Sequence, residues 1–137
     1  MPQIEAELYV RADGRRIGQE ELLADPALRA QVRVGNNPLG GLYLSDGTFD
    51  VRLDDAFDFI AKSFLYDAPA TLASGRDYGY DMRLSQGSMG VALSDGIATV
   101  IDDNADRLTC PLPDLLAALA SARAAYETLV PPPTGAG

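Results

Sequence analysis

Apolar and polar residues alternate over residues 4–11, a pattern typical of an antiparallel strand with one buried face. Asp13-Gly14 follows as a turn signal, because both residue types tolerate a positive φ. Residues 18–30 have helical spacing that is interrupted at Asp25-Pro26, where proline begins a second short helical turn and Asp25 caps it. Val32 and Val34 then indicate a short strand.

Two hydrophobic runs flank Asp46-Gly47 and predict a hairpin with a two-residue turn. In that register Leu44 lies opposite Phe49, and Leu42 lies opposite Val51, all on one face. Asp54 or Asp55 then caps a helix, and Pro69 and Gly75 mark its end and the loop beyond. The apolar stripe of this helix consists of Phe57, Ile60, Ala61, Phe64 and Leu65.

The second half of the chain repeats this order of elements. Alternation at Tyr80, Met82 and Leu84 predicts a strand, and Asp95-Gly96 predicts a second two-residue hairpin. Residues 42–51 and 91–100 agree in Leu, Ser, Asp, Gly and Val, through duplication or through two independent uses of one turn sequence. A last helix has apolar residues in register at Leu112, Leu115, Leu116, Leu119, Tyr126, Leu129 and Val130.

These elements predict an α+β fold formed by a single domain over residues 1–130. We expect an antiparallel sheet of about 5–7 strands, built from the Asp-Gly hairpins, with two main helices packed on one face. Residues 131–137 are a tail rich in proline and glycine.

Composition narrows the possible chemistry. The chain has no histidine and one cysteine, which excludes histidine-dependent nucleophile systems, histidine-ligated zinc and an internal disulfide. Twenty acidic residues against eleven basic ones give a net charge of −9, which disfavours nucleic acid and anionic membranes as partners. No signal peptide or membrane span is visible, so we expect a cytoplasmic protein, and no motif calls for a cofactor.

The acidic segment 102–106 has the Asp-x-Asn-x-Asp opening of a calcium loop. Arg107 and Pro113 occupy the positions where that motif needs glycine and glutamate, so a solvated acidic loop is the better interpretation. We expect the exposed carboxylates of Asp102, Asp103 and Asp106 to meet a basic partner.

Other candidates for catalysis have simpler explanations. The carboxylate pairs Asp54 with Asp58 and Asp50 with Asp55 fit helix capping better than general acid–base work. Cys110 is interpreted as a buried, inert thiol, since no histidine can activate it. Lys62 and Ser63 are adjacent on a helix, so their side chains point apart and cannot form a nucleophile pair.

Tyrosine and arginine are favoured at protein interfaces, and the chain brings several of them close in sequence. They are Tyr66, Tyr78, Tyr80, Arg76 and Arg83. The predicted partner-binding set therefore combines two kinds of residue, the acidic Asp50, Asp102, Asp103 and Asp106 and the patch residues Arg76 and Tyr78. The last helix also carries alanines on its remaining circumference, which fit either the high helix propensity of alanine or a homodimer contact.

The stretch from Asp77 to Val130 combines a tyrosine-led strand, an Asp-Gly hairpin and the pattern Pro-Leu-x-x-Leu-Leu-x-Ala-Leu. With the following Ala-x-x-x-Tyr-x-x-Leu, it resembles small acidic bacterial immunity proteins of polymorphic toxin systems. That resemblance implies a protein without catalytic activity that binds and neutralises one secreted toxin through an acidic face. A secretion chaperone of the type III class and a small ligand-binding protein or enzyme without histidine chemistry are the alternatives.

Overall fold

The computed structural model describes residues 4–12, 15–33, 39–81, 88–102 and 106–130. Four antiparallel strands form sheet A in the order β2-β1-β3-β4. They are β1 (Glu5–Ala12), β2 (Arg15–Gly18), β3 (Leu39–Ser45) and β4 (Asp50–Ala56). Leu8 and Val10 of β1 point into the core, as the alternation predicts.

Four further antiparallel strands form sheet B in sequence order. They are β5 (Tyr78–Asp81), β6 (Ser88–Ser94), β7 (Ile97–Ile101) and β8 (Arg107–Pro111). The predicted α+β class is confirmed, but the eight strands of the described residues form two sheets rather than one sheet of five to seven strands. The strand predicted from Tyr80 to Leu84 begins earlier, at Tyr78, and Met82 and Leu84 lie outside the described residues.

Two short helices, α1 (Gln19–Ala24) and α2 (Pro26–Arg33), meet at Asp25. The Asp25 carboxylate accepts a hydrogen bond from the Ala27 amide at 2.9 Å, which confirms the predicted cap. Val32 belongs to α2, so the short strand predicted at Val32 is wrong, and Val34 lies outside the described residues.

A longer helical stretch follows sheet A. It consists of α3 (Phe57–Lys62), a π-helical turn (Ser63–Asp67) and α4 (Ala68–Ala73), and every residue of the predicted stripe is buried. Pro69 lies in the first turn of α4 and does not end the helix. Proline at this position lacks an amide donor and crowds the preceding turn, so the wider π-helical turn beside it fits its presence.

Neither Asp54 nor Asp55 caps α3, which corrects the sequence prediction. Both residues belong to β4, which continues to Ala56, and the helix begins directly at Phe57 without a side-chain cap. The Asp54 carboxylate instead accepts hydrogen bonds from Tyr9 and Arg11 on β1. The Asp54 carboxylate, which the local sequence pattern assigned to capping the helix, therefore forms a long-range contact between β4 and β1 instead.

Helix α5 (Leu112–Leu129) joins the two sheets. It packs against β1 of sheet A, against β7 and β8 of sheet B, and against the π-helical turn. The buried residues of α5 recur at helical spacing along one side of the helix. They belong to a single hydrophobic core that also contains residues of both sheets and of other helices. Leu115, Leu119, Tyr126 and Leu129 are buried as predicted, together with Ala118 and Ala122.

The two Ser-Asp-Gly hairpins adopt different turns. Ser94 pairs with Ile97, and Asp95 and Gly96 have φ of 52° and 79°, so the predicted two-residue turn is confirmed there. In the first hairpin Leu44 pairs with Val51 and Ser45 pairs with Asp50, so the loop has four residues and the predicted register is wrong by two positions.

No helix among the described residues is long and apolar enough to cross a membrane. The predicted turn at Asp13-Gly14 and the tail at 131–137 lie outside the described residues.

Candidate partner-binding surface

Asp102 is a buried residue of the junction between the two sheets. It is only 3% exposed, and its Oδ2 accepts a hydrogen bond from the Arg52 amide on edge strand β4 at 3.2 Å. Its Oδ1 accepts a hydrogen bond from the Asp106 amide at 3.0 Å. The expectation that this carboxylate faces solvent is therefore wrong, because the side chain bonds the Asp106 amide next to β8 and the Arg52 amide of β4, and so joins sheet B to sheet A.

The other predicted acidic residues have different environments. Asp106 is exposed directly before β8, and Asp103 lies outside the described residues. Asp50 is exposed at the start of β4, where its carboxylate accepts a hydrogen bond from the Tyr43 hydroxyl at 2.7 Å. Arg52, whose amide contacts Asp102, lies two residues beyond Asp50 on β4.

The described residues of the predicted tyrosine–arginine patch make different contacts. Tyr78 is half-buried, with its ring edge against Phe64 at 5.5 Å, and Arg76 is exposed with a hydrogen bond to Ser74. Tyr66 lies on the π-helical turn, where it donates a hydrogen bond to Glu127 of α5. The side chains of Tyr80 and Arg83 lie outside the described residues.

An exposed aromatic residue lies at the tip of the β3–β4 hairpin. Phe49 is 63% exposed, the largest exposure among the large apolar residues described. Asp46 fixes its backbone, because the Asp46 carboxylate accepts hydrogen bonds from the amides of Thr48 at 2.8 Å and Phe49 at 2.7 Å. The Asp46 amide donates to the Phe49 carbonyl, and Gly47 supplies the positive φ of 93° that this turn needs.

Carboxylates surround this tip, which we define as residues 46–50. Asp46 and Asp50 flank Phe49 in the chain. The backbone hydrogen bonds from Phe49 and Thr48 lower the pKa of Asp46, so this group stays charged well below neutral pH. Besides burial, the charges of Asp114 on α5 and of Asp46 both contribute to raising the pKa of the Cys110 thiol.

The outer face of sheet A continues from the tip as a polar surface. Tyr9 is buried there, on the face opposite to Leu8 and Val10, and its hydroxyl donates to Asp54 Oδ2 at 2.5 Å. Arg11 forms an ion pair with the same carboxylate. The guanidinium of Arg16 lies 5.7 Å from the ring centroid of Tyr9 and 5.4 Å from that of Tyr43.

These contacts hold the outer face of sheet A in one arrangement. Burial, followed by the hydrogen bond to Asp54, raises the pKa of Tyr9 far above its usual value. The hydroxyl therefore remains protonated and acts as a donor. Tyr43, Arg11 and Arg16 are more exposed than Tyr9, and they place on this face the two residue types that dominate protein interfaces.

The sequence pattern missed the exposure of Phe49 and the burial of Tyr9. Alternation assigned Phe49 to the buried face. The only sequence signal for a longer loop was Asp46 two residues before Thr48, because an aspartate side chain can close a turn by accepting a hydrogen bond from an amide two residues later. Tyr9 was assigned correctly to the polar face, but no local signal indicated that it would be buried there under other side chains.

Cys110 is buried at the end of β8. Burial, with smaller contributions from Asp114 and Asp46, raises the pKa of its thiol from 9.0 to about 11. No group of three or more acidic, cysteine or histidine side chains in the described ranges is arranged to hold a metal ion. The thiol environment agrees with the interpretation of Cys110 as an inert core residue.

The raised thiol pKa predicts a loss of stability at alkaline pH. The unfolded chain ionises Cys110 near pH 9 and the folded chain near pH 11, so the stabilisation is complete below pH 9 and is lost as pH rises to 11. We expect the free energy of unfolding to fall by about 2 kcal/mol from this group by about pH 10.5. Urea unfolding of wild type and Cys110→Ala measures it, and an equal alkaline loss in both proteins would contradict the assignment.

No family model matches the chain, and neither a curated protein nor a solved structure matches it.

Proposed function

We propose that this protein is a non-catalytic binding protein of the immunity type, which binds and neutralises a secreted toxin with a basic surface. The observation that carries the proposal is Phe49, an exposed aromatic side chain fixed by Asp46 and flanked by carboxylates. Aromatic anchors of this kind dominate binding energy when they enter a pocket of a partner protein.

Rigidity of the tip supports a role in binding. Three hydrogen bonds between Asp46 and residues 48 and 49 hold the loop, so little conformational entropy is lost when a partner covers it. The Tyr43 hydroxyl extends this network through Asp50 to the outer face of sheet A. The tip and this face together form the proposed binding surface.

Charge indicates the kind of partner. The chain carries a net charge of −9, and Asp46 and Asp50 flank Phe49 at the tip. Such a field accelerates association with a basic protein and repels acidic ones. Asp106 is a further exposed acidic residue, whereas the buried Asp102 contributes to the stability of the fold.

The absence of histidine and the environments of the other candidate nucleophiles support a non-catalytic role. Burial raises the pKa of Cys110, and burial and a hydrogen bond raise the pKa of Tyr126, which opposes the formation of a thiolate or phenolate. Lys62 forms an ion pair with Asp58 at 3.0 Å on the surface of α3. We therefore place the function on a surface rather than in an active site.

Affinity capture with matched phenylalanine variants tests this proposal. Immobilised wild type is exposed at low salt to proteins of the bacterium that encodes it, beside Phe49→Ala and Phe59→Ala. Phe59 is 40% exposed on α3 and provides a control of the same residue type away from the tip. We expect wild type and Phe59→Ala to retain one basic protein, and Phe49→Ala to bind it about 30-fold more weakly.

The captured protein is then expressed in a bacterial host with and without the full chain. We expect the basic protein to arrest growth and its co-expression with the full chain to restore growth. Retention that is equal for wild type and Phe49→Ala would contradict the tip as the binding site. Capture of a protein that does not impair growth would contradict the immunity function.

A further inference from the structure

An open cleft lies on the outer face of sheet B, between strands β5 and β6. Gly79 of β5 pairs with Gly90 of β6, and because neither residue has a side chain, the pair forms the floor of a depression of about 290 Å³. Asp77, Ala92 and Ile101 contribute to the lining of this depression, and Asp77 is exposed. The cleft therefore combines an apolar floor with a carboxylate at its rim.

The two glycines of the cleft differ in what they do for the fold. Gly90 is needed for packing, because a Cβ atom there would lie 2.4 Å from the carbonyl oxygen of Tyr78 on β5. A Cβ atom at Gly79 would meet no described atom within 4 Å, and Gly79 does not have the positive φ that favours glycine. Glycine weakens a strand, and it often marks a place where a ligand or another backbone approaches closely. Gly79 therefore indicates an occupant from outside the monomer.

The Asp77 carboxylate determines the charge of the cleft. Its Oδ1 accepts a hydrogen bond from the Leu93 amide at 2.8 Å, which fixes the carboxylate beside β6. A carboxylate has several acceptor positions, so Asp77 can also accept hydrogen bonds from a bound cation. Arg107, on the same face, lies three strand spacings or about 14 Å from Gly79 along one row of paired residues. This separation exceeds the Debye length of about 8 Å, so Arg107 does not neutralise the cleft.

We propose that this cleft binds an arginine side chain of a partner protein, with the guanidinium on the Asp77 carboxylate and the methylene stem over Gly79 and Gly90. An arginine side chain lays its methylene groups on apolar surface while its charged end stays in contact with water, which matches this lining. A guanidinium is planar, weakly hydrated and able to donate two hydrogen bonds to one carboxylate, so it suits an open cleft better than the ammonium group of lysine. The net charge of −9 favours the approach of a cationic segment.

The arginine site goes beyond the proposed function of the tip and does not depend on it. The tip belongs to the β3–β4 hairpin of sheet A, whereas the cleft lies on sheet B. One side chain forms only a part of a protein interface, so we expect an isolated arginine to bind the cleft weakly, with a dissociation constant of about 1–10 mM.

Titration of the isotope-labelled full chain with Nα-acetyl-arginine N-methylamide, followed by amide chemical shifts, tests this site. We expect saturable shifts at Gly79, Gly90 and Ala92, and none with the uncharged citrulline analogue of similar shape. Asp77→Asn keeps an oxygen for the Leu93 amide but removes the charge, and should weaken binding about five-fold. Gly79→Val places a side chain in the open space of the cleft, and should weaken binding at least about ten-fold.

Two control variants make the result specific. Asp95→Asn removes a carboxylate from the β6–β7 turn of the same sheet, and asparagine tolerates the positive φ of 52° there. Phe49→Ala removes the aromatic side chain of the tip. Both should bind the arginine amide as wild type does. Absence of saturable shifts at the cleft, equal binding of the citrulline analogue, or equal affinities of wild type and Asp77→Asn would each overturn the proposal. The same loss of binding in either control as in Asp77→Asn would also overturn it.

Discussion

Replacing Gly41 with alanine is expected to lower the free energy of unfolding by about 3 kcal/mol. A Cβ atom at Gly41 would lie 1.8 Å from the carbonyl oxygen of Leu53 on the neighbouring strand β4, so the strands would have to move apart. Gly41 also pairs with Tyr9 on one side and Asp54 on the other, and the Tyr9 side chain reaches Asp54 across it. The substitution therefore disturbs both the strand spacing and this hydrogen bond.

Gly79→Ala is the matched control for this prediction. Gly79 also lies in a strand, but a Cβ atom there has open space, so we expect a change in stability of at most about 0.5 kcal/mol. Urea unfolding followed by circular dichroism measures both variants. Equal stability of Gly41→Ala and Gly79→Ala would contradict the close approach of β3 and β4 at Gly41.

Replacing Asp102 with alanine is expected to destabilise the fold by about 3 kcal/mol. The substitution removes the acceptor of the Arg52 and Asp106 amides at a buried position between the two sheets. Each buried donor that loses its acceptor costs about 1–3 kcal/mol, and the Asp102→Asn variant should lose less because its amide retains one oxygen.

Asp106→Ala is the control for Asp102→Ala, since it removes a carboxylate from the same loop. The Asp106 side chain is exposed, and its backbone makes the contacts to Asp102, so we expect a small change in unfolding free energy. If Asp102→Ala left stability unchanged and only weakened partner binding, Asp102 would be a contact residue, as the sequence indicated, and not a joint between sheets.

Local signals predicted the parts of the fold that depend on neighbouring residues. The Asp95-Gly96 turn needs only two residues with positive φ, and the Asp25 cap needs only a carboxylate two residues before an amide. The stripe from Phe57 to Leu65 is likewise set by helical spacing, and these residues are buried as expected.

Long-range contacts decided the parts that the sequence did not predict. A two-residue turn at Asp46-Gly47 would place Gly41 opposite Arg52, whereas the observed register places it opposite Asp54, within reach of Tyr9. The burial of Asp102 depends on the Arg52 amide, fifty residues earlier in the chain. No local pattern contains either partner, so the sequence alone did not indicate the exposed position of Phe49 or the structural role of Asp102.

Calorimetric titration of the captured basic protein with wild type, Phe49→Ala and Phe59→Ala tests the central claim most directly. We expect wild type and Phe59→Ala to bind with equal affinity and Phe49→Ala about 30-fold more weakly, with all three proteins equally folded. Equal dissociation constants for wild type and Phe49→Ala would contradict the assignment of the acidic tip as the binding surface.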